Sequence, residues 1–187
     1  MRNKMDWFTS DLHIGHDKDF IWGSRGFSSI EEHDKEILKR WNEVVWPEDT
    51  VYILGDLCMG GNEKEWNNIY YKLNGHIKFI HGNHDTTNKI ERYINEYNME
   101  DLGLATIYRY SKKKTFYLSH YPTLVGNHEE EKFFWCLSGH THSSDPFQNG
   151  FGCVYNVALD AHNYTPVSIE QIIKDIDKYR SQHVRKG

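Results

Sequence analysis

Cysteine is scarce in this chain. Cys58, Cys136 and Cys153 are the only three, widely spaced and without a Cys-x-x-Cys pair, so neither a disulfide framework nor a thiolate zinc site is expected. Proline is nearly as rare, at four residues, and no repeat or low-complexity tract interrupts the sequence. No linker is therefore expected, and 187 residues suit one domain over 1–187 with a sizeable core. No apolar run approaches the roughly 18–20 residues needed to span a bilayer, and the mean hydropathy is −0.76. The opening residues, Met1 to Phe8, have no apolar signal-peptide core. An excess of positive charge is missing too: 22 Lys and Arg stand against 27 Asp and Glu, a net −5. That balance disfavours a partner such as long nucleic acid or an anionic membrane, both of which reward clustered cations. The absences together point to a reduced, cytoplasmic protein. They leave its oligomeric state open.

Histidine, by contrast, is abundant, with 12 residues. His33, His76 and His183 read as solvated or satisfied in the core. The others fall in a pattern set by the elements around them. Met5–Thr9, Thr50–Leu54 and Ile77–Ile80 read as strands. Helical faces alternate with them: Ile30, Ile37, Leu38, Trp41, Val44 and Val45; Trp66, Ile69, Tyr70 and Leu73; Ile90, Tyr93, Ile94 and Tyr97. Ser28 and Ser29, each three residues before a glutamate, give overlapping capping boxes at the first of these helices. Later, Leu104–Tyr110 and Thr115–Ser119 flank the solvated tip Lys112–Lys114 as a hairpin. Phe133–Leu137 and Gly152–Leu159 read as further strands, and a closing helix from Ser168 buries Ile169, Ile172, Ile173 and Ile176. Strand–helix units followed by hairpins predict a layered α/β domain with two sheets face to face. Trp7, Trp41, Trp46, Trp66 and Trp135 read as core residues.

Polar groups follow the strands directly. Asp11-x-His13 follows the first, Asp56 the second and Asn83-His84-Asp85 the third. His120 follows the second hairpin arm, and His140-x-His142 follows Phe133–Leu137. Ligand crevices form at strand carboxyl ends because the loops converge there. Two residues apart in extended chain, Asp11 and His13 point to one side, as do His140 and His142. An oxygen and imidazole set without sulfur suits Mn, Fe, Zn, Ni or Mg. Seven such groups exceed one four-coordinate ion and suit two ions sharing a ligand.

Asp11-x-His13, Gly55-Asp56, Gly82-Asn83-His84-Asp85, His120 and Gly139-His140-x-His142 resemble the motif series of the calcineurin-like metallophosphoesterases. The resemblance covers residues 11–142 and is closest to the small single-domain bacterial and phage members. It implies a four-layer α/β/β/α sandwich with two divalent ions at one edge, manganese first among the candidates. It also implies that Asp11, His13 and His142 hold one ion, that Asn83, His120 and His140 hold the other, and that Asp56 bridges. His84 would face the substrate and Asp85 would orient it. Two ions against two ligand carboxylates leave a positive surplus suited to a phosphate ester, and metal binding lowers the pKa of water from 15.7 towards ~7, giving a hydroxide nucleophile. His84 would then assist the leaving group. His16, Arg25, Asn127 and His128 are candidate substrate contacts, Arg25 as a bidentate phosphate clamp. Asp160 and His162 follow a strand and could support the ligands from behind. The expected activity is hydrolysis of a small, nucleotide-type phosphodiester. Alternatives are a nucleotide or protein phosphomonoesterase and, in another class, a non-catalytic scaffold on the same fold.

Overall fold

The computed structural model describes residues 2–60, 63–127, 132–147 and 153–183. The elements run β1 (Asp6–Thr9), α1 (Asp19–Trp22), α2 (Ile30–Val44), β2 (Thr50–Leu54), α3 (Glu63–Tyr70), β3 (His76–Ile80), α4 (Thr87–Asn95) and β4 (Glu100–Asp101) in the first half. The second half contains β5 (Ala105–Ser111), β6 (Lys114–Ser119), β7 (Val125–Asn127), β8 (Lys132–Ser138), β9 (Val154–Asn156), β10 (Val167–Ser168) and α5 (Ile169–His183). One sheet has the order β10-β1-β2-β3-β4, and the other runs β5-β6-β8-β7 with β9 beside β8.

The central strands are apolar on both faces because both faces are covered. Val51, Ile53 and Phe79 face one way, against Ile37 and Trp41 of α2, Trp66 and Tyr70 of α3, and Tyr93 of α4. Their neighbours Phe8, Leu54 and Ile80 face the other way, onto Tyr108, Phe116, Leu118, Leu137 and Tyr155 of the second sheet. Phe8 stacks on Tyr52 at 4.9 Å and meets Tyr108 edge-on at 5.1 Å, joining the sheets. Ile169, Ile172 and Ile176 bring α5 into this second cluster. The layers are therefore helix, sheet, sheet and helix.

The start of α2 follows the capping signal. Ser29 is the N-cap and its Oγ accepts the Glu32 amide at 3.2 Å, while the Glu32 carboxylate reaches back to the Ser28 amide and hydroxyl. Two expectations fail. Trp46 is 49% exposed, its ring covered by the Arg2 guanidinium at 4.7 Å, because Asp49 draws Arg2 to that corner. The expected strand Gly152–Leu159 shortens to Val154–Asn156, and Leu159 begins a 3-10 turn instead. His33 is fully buried, whereas His76 and His183 are exposed. Among the described residues, no helix is long and apolar enough to cross a membrane.

Candidate metal centre

Parallel pairing of β1, β2 and β3 brings three strand ends to one edge, and the parallel pair β6 and β8 delivers two more. Asp11 and His13 leave β1, Asp56 leaves β2, Asn83 leaves β3, His120 leaves β6, and His140 and His142 leave β8. These ends are not extended. Asp11, His13, Asp56, His140 and His142 have φ of 57°, 52°, 55°, 70° and 50°. The pairs two apart in sequence thus converge through left-handed backbone, not through the alternation of a strand. Such a conformation costs a non-glycine residue roughly 1–2 kcal/mol, so the loops must hold it. Asp11 and His13 donate their amides to the carbonyls of Gly55 (3.0 Å) and Asp56 (3.1 Å). Gly55 (φ 91°) and Gly139 admit the close approach: a Cβ on the first would strike the His120 ring, and one on the second Ser10 Oγ and the Asp11 carboxylate.

Two groups of donor atoms result. In the first, Asp11 Oδ1 lies 3.9 Å from His13 Nε2 and 3.7 Å from His142 Nε2, and the two imidazole nitrogens are 3.0 Å apart. In the second, Asn83 Oδ1 lies 2.9 Å from His120 Nε2 and 3.0 Å from His140 Nδ1. Asp56 Oδ2 stands between them, 3.9 Å from His13 Nε2 and 3.6 Å from His120 Nε2. Donor atoms about 2.1 Å from a shared ion sit ~3.0–3.4 Å apart; the imidazole pair and the Asn83 contacts lie at the short end of that range, and the Asp11 and Asp56 contacts, at 3.6 to 3.9 Å, are somewhat longer.

The protonation pattern fits a cation as well. His120 Nδ1 faces the Leu54 carbonyl at 2.8 Å, which fixes the proton there and leaves Nε2 a bare acceptor. His142 Nδ1 faces the Asp160 carboxylate at 3.2 Å with the same consequence. Burial, then the neighbouring His142, pushes His13 down to about 2, so its ring is neutral. Burial and then His120 lower His140. Asp11 receives Ser10 Oγ (2.6 Å) and the His140 amide (2.9 Å) on Oδ2, while Oδ1 is buried without a partner. A buried carboxylate oxygen facing two imidazole nitrogens is a donor set for a divalent ion.

The family model for calcineurin-like phosphoesterases matches residues 7–184. The chain belongs to the calcineurin-like phosphoesterase family. It is 35% identical over 177 residues to an uncharacterized protein of Methanocaldococcus jannaschii, covering 92% of this chain and 91% of that one. It is 32% identical to the Gene 66 protein of Mycobacterium phage D29, covering 92% and 97% of the two chains. A crystal structure of a protein of unknown function from Aquifex aeolicus superimposes with a TM-score of 0.68 at 26% identity, covering 93% of this chain and all of that one.

Behind the first donor group of this phosphoesterase lies a buried charge network, and it reassigns Arg25. The guanidinium is 5% exposed and all five N–H donors are engaged. Nε and Nη2 grip Asp160 at 3.0 and 2.8 Å, Nη2 also reaches the Asp11 carbonyl at 2.7 Å, and Nη1 reaches the Leu12 carbonyl at 3.3 Å and His33 Nε2 at 2.9 Å. No donor remains for a phosphate, so the expected clamp is instead an internal brace. Although burial opposes it, the bonds from His142 and Arg25 hold the Asp160 carboxyl below the usual carboxylate range. The same bond from Asp160 raises His142. His162 bonds the Asn156 carbonyl at 2.7 Å and stacks on Tyr155, away from the donor atoms.

Asp85 also departs from its expected role. Its carboxylate accepts the amides of Asp56 (2.9 Å), Leu57 (3.4 Å) and Gly82 (2.8 Å) and the Tyr93 hydroxyl (3.2 Å). It ties the β2 and β3 loops together rather than holding the His84 ring. His84 donates its amide to Asp56 Oδ1 at 2.9 Å, and its half-exposed ring brings Nε2 to 3.9 Å from Asp56 Oδ2. His16 sits beside this group, 5.4 Å from the His13 ring, its buried Nδ1 without a hydrogen-bond partner. Burial, then His84, lowers its pKa. Asn127 closes β7, and His128 lies outside the described residues.

Proposed function

We propose that this metal-dependent phosphoesterase is a two-metal hydrolase of small, nucleotide-type phosphodiesters. The observation that carries the reading is the position of Asp56 Oδ2 between two donor groups with His84 Nε2 3.9 Å away on the open side. Asp11, His13 and His142 would hold one ion and Asn83, His120 and His140 the other, with Asp56 shared. When bound, the pair supplies Lewis-acid polarisation of phosphoryl oxygens and ionises water near neutrality.

The chain's own groups do the remaining work. Asp160 and the Leu54 carbonyl fix the tautomers of His142 and His120, so both rings present Nε2 without rearrangement. The backbone bond from His84 to Asp56 couples the position of the acid to that of the shared carboxylate. Held there, the His84 imidazole can give a proton to the departing ester oxygen, assistance typically worth ~10²–10⁴-fold. A net charge of −5 favours small substrates over long nucleic acid.

The test is hydrolysis of a nitrophenyl phosphodiester and the matching monoester by the Mn²⁺-loaded protein, with Asp56→Asn as blank. Faster diester cleavage with a dead blank supports the reading. Faster monoester cleavage makes the protein a phosphomonoesterase, and turnover of neither points to a binding scaffold. His84→Ala should retain both metals and lose ~10²–10⁴-fold in kcat; wild-type turnover in that variant removes His84 from the chemistry.

A further inference from the structure

Two aromatic rings flank the centre and have no role in the chemistry above. Phe20, in α1 and four residues after His16, is 64% exposed. Its ring stands 5.5 Å from His16 at 85°, and His16 in turn lies 5.4 Å from His13. Tyr121, directly after His120, is 51% exposed, its ring 4.7 Å from His140 and 5.1 Å from His120. The turn that presents Tyr121 is pinned by Ser119 Oγ, which donates to the Tyr121 carbonyl at 2.7 Å.

A single exposed aromatic residue is unremarkable on a protein surface. The arrangement is more specific than that. Each ring is steeply inclined to an imidazole beside the site. One ring belongs to the side of His13 and the other to the side of His120 and His140. Arg25, the guanidinium nearest in sequence to the first donor group, has every donor committed internally. Arg25 therefore supplies no contact at the rim, where Phe20 and Tyr121 present exposed ring faces.

We propose that Phe20 and Tyr121 are stacking platforms for planar heteroaromatic rings carried on the ester groups of the substrate, which makes the substrate nucleotidyl. A ring on each side of the centre matches a diester, whose phosphorus carries two arms, better than a monoester with one. The inference rests on the phosphoesterase reading above and deepens it by naming the residues that select the base. Stacking tolerates any base because every base has a π-face, so the preference is for a base over none rather than for one base over another.

The experiment is calorimetric titration of the Mn²⁺-loaded protein with AMP and with ribose 5-phosphate, which shares the sugar and phosphate but carries a hydroxyl in place of adenine. The wild-type protein should bind AMP about 5- to 150-fold more tightly, the range that corresponds to one stacked base. The Phe20→Ala/Tyr121→Ala double variant should bring that ratio to within roughly 3-fold, and Phe20→Trp and Tyr121→Phe should each retain it. Equal affinities in the wild type, a preference that survives the double variant, or loss of the preference in Tyr121→Phe would each overturn the inference, as would failure to bind either compound. The nitrophenyl assay is read separately. A protein that cleaves diesters but ignores adenine loses only the stacking platforms, and one that prefers AMP but cleaves nothing keeps them and loses the catalytic reading.

Discussion

Replacing Arg25 with methionine keeps a chain of similar length and removes five hydrogen-bond donors from a site that is 5% exposed. The Asp160 carboxylate, 14% exposed, loses contacts at 3.0 and 2.8 Å, and the Asp11 and Leu12 carbonyls lose theirs. Breaking a buried ion pair by removing one partner costs about 3–5 kcal/mol, because the other charge stays desolvated. Unfolding entropy is about 2.1 cal/mol/K per residue, so for 187 residues the loss corresponds to roughly 8–13 °C in Tm. Thermal unfolding followed by circular dichroism in EDTA reads this without any contribution from bound metal. Arg25→Met, Asp160→Asn and the double variant form a cycle in which the double change should cost about 1–3 kcal/mol less than the two single changes together. A fall of less than about 3 °C in Arg25→Met, or strict additivity, would refute the internal brace. A substrate clamp would behave oppositely, lowering kcat/KM while leaving Tm unchanged.

Two further outcomes follow from the same contacts. Asp160→Asn removes the charge that holds the proton on His142 Nδ1, so the ion at Asp11, His13 and His142 should bind ~10–100-fold more weakly, while the group at Asn83, His120 and His140 keeps its affinity; calorimetric Mn²⁺ titration checks this, and two unchanged affinities would contradict it. Asp49, despite its burial, is held at about 2 against an ordinary 3.8 by Arg2 and by the amides of Trp46 and Met5 and the Trp7 indole. A depressed folded pKa gives stability that is present above pH ~4 and lost as pH falls through ~2, here worth about 2 kcal/mol. Asp49→Asn should therefore be less stable than wild type by about that amount at pH 7 in urea titration. The gap should close near pH 2, and a gap independent of pH would show that the carboxylate charge is not its source.

The longer strands and helices and the sheet layers are legible because their apolar periodicity is local, and the donor residues because each follows an apolar run; the short elements α1, β4, β7 and β10 carry too few residues for a period. Arg25 is illegible for the opposite reason. Its Gly- and Ser-rich surroundings resemble a phosphate loop, but its partner Asp160 lies 135 residues away and becomes visible only in the fold. In sequence, Asp85 reads as an orienter of its neighbour, whereas its bonds run to the β2 loop and Tyr93. The spacing of Asp11 with His13 and of His140 with His142 suggested that each pair converges, but for the wrong backbone. The left-handed φ at these positions follows from crossing loop bonds and glycine clearances that no single segment encodes. Phe20 and Tyr121 gave no warning, since an aromatic residue beside Ile21 or His120 reads equally well as core.

The central claim is a centre of two ions sharing Asp56. It is tested most directly by stripping the protein with EDTA and titrating Mn²⁺ back, following calorimetric binding and phosphodiester hydrolysis in the same samples. Two ions per chain are expected, with turnover appearing as the second one binds, and loss of turnover with weakened binding at both positions in Asp56→Asn. Full turnover with one ion or in EDTA, or Asp56→Asn binding two ions with wild-type affinity, would contradict it.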